Sequence, residues 1–172
     1  MRDQFIKTLL GEVEKNPNII LITGDLGFGV LNEFIEKYPN NFINAGVAEQ
    51  NMTGIAAGLA LEGKKVFTYS IANFPTLRCF EQIRNDVCYH NLDVNIISIG
   101  GGFSYGSLGM SHHATEDIAV MRTLPNLDIF SPSGLWEVDK ATKSLSQSNG
   151  PGFLRLDKSF GQDYVAENEE FE

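Results

Sequence analysis

Two short runs constrain this chain more than any other feature. Residues 19–23 (Ile-Ile-Leu-Ile-Thr) and 94–99 (Val-Asn-Ile-Ile-Ser-Ile) are apolar along most of their length. A strand with one wet face alternates apolar with polar residues, whereas a run like these marks a strand covered on both faces. Covering both faces takes helices, and the intervening sequence supplies them. Phe5, Ile6, Leu9, Leu10 and Val13 form a helical stripe over 3–15, stopped by Asn16-Pro17-Asn18. Further helices are expected over 30–38, 46–61 and 76–89, from Thr115, and over 133–146. Leu77, Phe80, Ile83 and Val87 mark one face of the fourth. Strands are expected at 19–23, 42–44, 65–69, 94–99, 127–130 and 153–156. Such alternation builds parallel βαβ units with right-handed crossovers. The expected fold is α/β, a doubly wound, mostly parallel six-stranded sheet with helices on both faces.

The 172 residues suffice for one domain with a real core, placed at 1–160, followed by an acidic tail or linker at 161–172. A net charge of −9 argues against nucleic acid as a partner. No apolar run approaches the ~20 residues that span a bilayer, and the N-terminus does not read as a signal peptide. Cys79 and Cys88 stand nine apart in an expected helix, two and a half turns, and so point to opposite faces and cannot pair. Reduced thiols fit a cytoplasmic protein.

In a doubly wound sheet, ligands bind at the strands' carboxyl ends. The loops expected there carry Asp25, Glu49, Asn73, Phe74, a glycine-rich stretch over 100–113 with His112 and His113, and Lys158. Glu49 falls in the first turn of a helix, where the dipole favours an anion. That helix is rich in small residues, among them Gly54, Ala57, Gly58 and Ala60. Each internal glycine costs roughly 1 kcal/mol against alanine, so close packing on a sheet or a partner helix is expected. The loop Gly24-Asp25-Leu26-Gly27-Phe28-Gly29 reads G-x-x-G-x-G, not the dinucleotide G-x-G-x-x-G. His90, at a helix end, reads as a solvated cap.

Four blocks, in order, carry a resemblance. They are 42–52 (Phe-Ile-Asn-Ala-Gly-Val-Ala-Glu-Gln-Asn-Met), 80–86 (Phe-Glu-Gln-Ile-Arg-Asn-Asp), 111–119 (Ser-His-His-Ala-Thr-Glu-Asp-Ile-Ala) and 124–127 (Leu-Pro-Asn-Leu). Together they resemble the pyrimidine-binding domain of transketolase-like thiamine diphosphate enzymes of the split-subunit type, over roughly 1–159. The resemblance implies that the cofactor lies between this domain and a pyrophosphate-binding domain or subunit that holds the diphosphate and Mg²⁺. It implies a like-domain homodimer and a two-carbon ketol transfer between sugars. A 2-oxoacid dehydrogenase β-subunit, a deoxyxylulose-phosphate-synthase-like component and a non-catalytic module are the alternatives. By the same resemblance Glu49 bonds the pyrimidine nitrogen, Phe74 stacks on the ring, and Ile71 and Asp25 border the cofactor. His112 contacts the reacting carbons beside His113. Lys158 and Arg2 stand at phosphate-binding positions, and Arg78 and Arg84 at basic positions of split-subunit relatives, where ion pairing and ligand contact are both open. A half-buried Glu49 beside Ala45 and Met52 is expected to have a raised pKa.

The chain departs from the pattern at Gly100, where transketolases carry histidine, and at Ser107-Leu108, where they carry acidic residues. Those groups contact sugar hydroxyls, so discrimination for a polyhydroxylated ketose is expected to be poor, and a modified sugar or a small 2-oxo acid stays open. The chain is expected to be a split subunit or a fragment lacking the diphosphate and metal ligands.

Overall fold

The computed structural model describes residues 1–159; the tail at 161–172 lies outside them. Six strands form one sheet: β1 (Ile19–Thr23), β2 (Phe42–Asn44), β3 (Lys65–Ile71), β4 (Val94–Ile99), β5 (Asp128–Phe130) and β6 (Gly152–Leu156). Their order is β2-β1-β3-β4-β6-β5, and all five pairings are parallel. The helices are α1 (Arg2–Lys15), α2 (Asn32–Lys37), α3 (Glu49–Leu61), α4 (Phe80–Gln82), α5 (Asp117–Met121) and α6 (Leu135–Gln147).

The period-two geometry of strands sorts the apolar runs between two cores. Ile19 and Leu21 face one side with Phe67, Tyr69, Ile97 and Leu154, packed on Phe5, Leu9, Val138 and Leu145 of α1 and α6. Ile20, Ile22, Val66 and Val94 face the other, under Met52, Ala56 and Ala57 of α3. A third cluster joins Cys79, Ile83 and Cys88 to Ile96, Met121 and Phe153. Both faces are covered, as the continuous apolar runs require. The chain leaves β1 outward to β2, then crosses back to β3, so strand order reverses between β1 and β3. A crevice opens at the carboxyl ends of the strands at such a switch point.

The fourth helix differs most from expectation. Residues 77–88 run as a 3₁₀ turn (Leu77–Cys79), the single α turn of α4 and a π stretch (Ile83–Cys88). The wider π turn changes the register, and both cysteines end in the same buried cluster, free and unbridged, instead of on opposite faces. The third helix starts at Glu49 and not at residue 46, because Gly46 turns with φ +74°. The second is shorter than 30–38: only 32–37 are α-helical. Gly54 and Gly58 do not serve packing on the sheet. A Cβ built on either meets nothing within 4 Å. Among the described residues no helix is long and apolar enough to cross a membrane.

Candidate active site

The site begins at the end of β1. Asn44 Oδ1 accepts hydrogen bonds from the Asp25 and Gly46 backbone N–H groups (3.1 and 3.0 Å), while its Nδ2 donates to Asp25 Oδ1 (3.0 Å). This clamp ties the β1 loop to the β2 end and sets the entry into α3. Asp25 itself is exposed, with φ +59°. Glu49 follows as the first residue of α3. Its side chain lies under Gly24, where a Cβ would stand 3.4 Å from Glu49 Cγ. The expectation of a half-buried carboxyl is corrected: Glu49 is 2% exposed. Its Oε2 accepts a charge-assisted hydrogen bond from Arg78 Nη1 at 2.7 Å.

Arg78 sits on the 3₁₀ turn after β3, and its guanidinium carbon lies 4.4 Å from the centre of the Phe74 ring. The turn presenting Phe74 is tied down on several sides. Thr76 Oγ1 and Ser98 Oγ donate to the Ala72 carbonyl, and Cys79 Sγ donates to that of Phe74. Burial pushes the Cys79 thiol up to about 11, so it stays a neutral donor at physiological pH.

The rings continue from there. Phe74 meets His112 edge-on at 5.0 Å, His112 meets Tyr105 at 5.9 Å, and Lys158 Nζ lies 4.9 Å above the Tyr105 ring. Asn73 Nδ2 donates to the Ser111 carbonyl and fastens the loop to the Phe74 turn. Arg2, Leu26, Gly27, Phe28, Tyr69, Ile71, Ile99 and Tyr105 line a cavity of about 180 Å³ beside this chain of rings. It lies at the carboxyl ends of β1, β3 and β4, the crevice the topology calls for. Burial raises both phenols, so they remain protonated donors.

Glycines hold the loop over 100–114 together. Gly100 has φ +83°, and a Cβ there would run into the Tyr105 ring; one at Gly101 would run into the Arg155 guanidinium. Arg155 Nε in turn donates to Asp117, which is 1% exposed (2.7 Å). Gly102 and Ala114 close the loop base as an antiparallel bridge. His113 Nε2 lies 2.9 Å from the Gly106 carbonyl, and its ring meets Phe103 edge-on.

Glu49, Phe74 and His112 thus form one chain of contacts, joined to Lys158 through Tyr105, and Arg2 and Ile71 share the cavity with Tyr105. Asp25 stays at the rim. His113 is engaged within its loop. Arg84 points elsewhere, bonded to Asn85 and Tyr89, and His90 is exposed. Sequence reasoning missed the engagement of Arg78 with Glu49 and passed over Tyr105. The Gly100 departure was a partial signal for the second, since a lost side chain at a site edge leaves space for another to fill.

Chemically, a buried carboxylate and an aromatic face converge on one flat cation. That pairing suits a planar heterocycle with a nitrogen that can share a proton.

Comparison with known proteins gives the same direction. The family model "Transketolase, pyrimidine binding domain" matches residues 1–162. One of the two subunits of an apulose-4-phosphate transketolase from Phocaeicola vulgatus is 38% identical over 172 residues, 99% of this chain and 55% of its own length. A putative transketolase C-terminal section from Methanocaldococcus jannaschii is 37% identical over 171 residues, 99% of this chain and 54% of its own. A solved structure described as "Split gene transketolase, inactive beta4 tetramer" superposes with TM-score 0.87 at 35% identity, covering 99% of this chain and 55% of that one. The chain spans about half the length of these relatives.

Proposed function

The chain belongs to the family of transketolase pyrimidine-binding domains, and from that premise we propose that it is the pyrimidine-binding component of a thiamine diphosphate-dependent, transketolase-like enzyme. The reaction is transfer of a two-carbon ketol unit between sugars, carried out with a pyrophosphate-binding partner domain or subunit. The observation that carries this reading is the meeting of Glu49 and Phe74 on one flat, N–H-bearing group. An aminopyrimidine offers the same two features, a planar face and a protonatable nitrogen edge, so the residues fit it. Bound there, the cofactor supplies a carbon nucleophile for a ketose carbonyl.

In this reading Glu49 shares a proton with the ring nitrogen, shielded from water at 2% exposure. Phe74 fixes the ring plane by stacking. Ile71 gives an apolar wall at the strand end, and Asp25, clamped by Asn44, borders the cofactor. His112, edge-on to Phe74, donates to a substrate oxygen, and His113 braces the loop beside it. Arg2 and Lys158 receive an anionic end of the substrate. Tyr105 takes the space over Gly100 and puts an aromatic wall where relatives reach sugar hydroxyls. This favours substrates with fewer hydroxyls to satisfy on that side.

Mg²⁺ and the diphosphate are assigned to the partner. Among the described residues no group of three or more His, Cys, Asp or Glu is placed to hold a metal. The open outer face of α3 at Gly54 and Gly58 supports a homodimer through that helix. Two free, buried thiols support a cytoplasmic setting.

The test is exchange of the thiazolium C2 proton, followed by NMR in a complex reconstituted with a candidate pyrophosphate-binding subunit. Glu49→Gln abolishes cofactor-dependent exchange if the reading holds; exchange at the wild-type rate overturns it.

A further inference from the structure

We propose that Arg78 is a resident stand-in for the cofactor ring, occupying the aminopyrimidine place between Glu49 and Phe74 and yielding it when the cofactor binds. The inference rests on the reading of Glu49 and Phe74 as the ring site. A guanidinium is planar, weakly hydrated and edged with N–H donors. Arg78 uses both properties at once: Nη1 donates to Glu49 Oε2 at 2.7 Å, and the guanidinium carbon stands 4.4 Å from the Phe74 centroid. A second flat group cannot take that ring face and that carboxylate oxygen while the guanidinium keeps them.

The arrangement answers a physical problem. A carboxylate as buried as Glu49 is costly without a partner. A chain that meets its partner domain and cofactor only after folding needs something to satisfy that carboxylate beforehand. Arg78 supplies it, then exchanges with the incoming ring, so Glu49 keeps a donor throughout. Arg78 is placed for such an exchange. Its side chain is 46% exposed, so it reaches water without burying its charge. It sits on the short 3₁₀ turn Leu77–Cys79 rather than inside a regular helix. Releasing a half-exposed ion pair is cheap. The consequence is a reduced apparent affinity, because the binding-competent site is only part of the population.

The experiment is an NMR titration of the full chain with thiamine, which carries the aminopyrimidine without the diphosphate. In the wild type the Arg78 Nε–Hε signal moves toward that of a free arginine along the same curve as the Phe74 ring signals. Arg78→Lys keeps a charge for Glu49 but offers no flat face to stack, and it binds thiamine about threefold more tightly or better, the scale of one half-exposed pair. A melting curve confirms that this variant is folded. An Arg78 signal that stays in place while Phe74 responds overturns the inference and leaves the cofactor reading standing. No Phe74 response in either protein overturns both.

Discussion

Glu49 and Tyr105 stand at opposite ends of the candidate site, and the backbone holds them by different means. Glu49 is fixed locally. A strand end, a turning glycine and a helix start follow each other within residues 44–49, and the Asn44 clamp closes over them. Tyr105 sits on a loop whose shape depends on distant residues. Arg155, on β6, supports Gly101 from below and pairs with Asp117 on α5. The cofactor end is therefore a rigid part of the fold, and the substrate end is a packed loop held by one buried ion pair. Chemistry common to many substrates is placed on the first, and the choice of substrate on the second, where loop changes leave the sheet untouched.

The largest effect expected from breaking this division is at Glu49. In the reconstituted complex, Glu49→Gln lowers turnover by about 10²–10⁴-fold, the scale of general acid–base catalysis. The fold survives, because Arg78 is half exposed and keeps access to water. Turnover measured beside a melting curve checks this; a normal rate moves the chemistry away from α3.

Next comes the loop's support. Arg155→Met leaves Asp117 buried without its cation, which costs about 3–5 kcal/mol. The melting temperature falls by about 10 °C for a chain of this size. Hydrogen exchange at the Gly102–Ala114 bridge speeds up, while the amides of α3 keep their protection. Equal loosening of both regions would mean that the two ends are not independently held.

The same contrast explains what the sequence disclosed. The six strands and the start of α3 were legible because burial on both faces and first-turn preferences are written in neighbouring residues. The continuous run Ile19–Thr23 announced a strand inside the sheet, and it lies between β2 and β3. Glu49 and Phe74 were legible as candidates because they sit in or beside ordered blocks of residues. The contact of Arg78 with Glu49 was not, since 29 positions separate them and the 3₁₀ turn that aims Arg78 has no periodic signature. The stripe of Leu77, Phe80, Ile83 and Val87 suggested an α-helix, and the chain winds as a π stretch instead. Both windings bury Ile83 and Val87, so the apolar pattern does not separate them. The loop over 100–114 looked unstructured because its order comes from glycines that admit Tyr105 and Arg155. The space they leave is visible only in three dimensions.

Gly100→Ala tests that packing with a smaller effect. A side chain at φ +83° costs about 1–2 kcal/mol, and the crowding of Tyr105 adds about 1–3 kcal/mol. Adding Tyr105→Ala to the same chain recovers the steric part and leaves the backbone part. A double-mutant cycle on melting curves separates them; additive costs would mean that the ring and residue 100 do not meet.

The smallest effect concerns the Glu49 end alone, on the face of α3 turned away from the sheet. Gly54 is exposed within the helix, and a Cβ there meets no atom of this chain within 4 Å. Gly54→Ala therefore stabilises the isolated chain by roughly 1 kcal/mol through helix propensity, raising its melting temperature by about 2–4 °C. If a second copy lays its own helix against this face, the added methyl lies in the contact and weakens self-association. Dilute-solution melting and sedimentation equilibrium then move in opposite directions, a pairing that propensity by itself does not produce. Stabilisation with unchanged association would place the homodimer contact elsewhere and leave the glycine with no packing role in this chain.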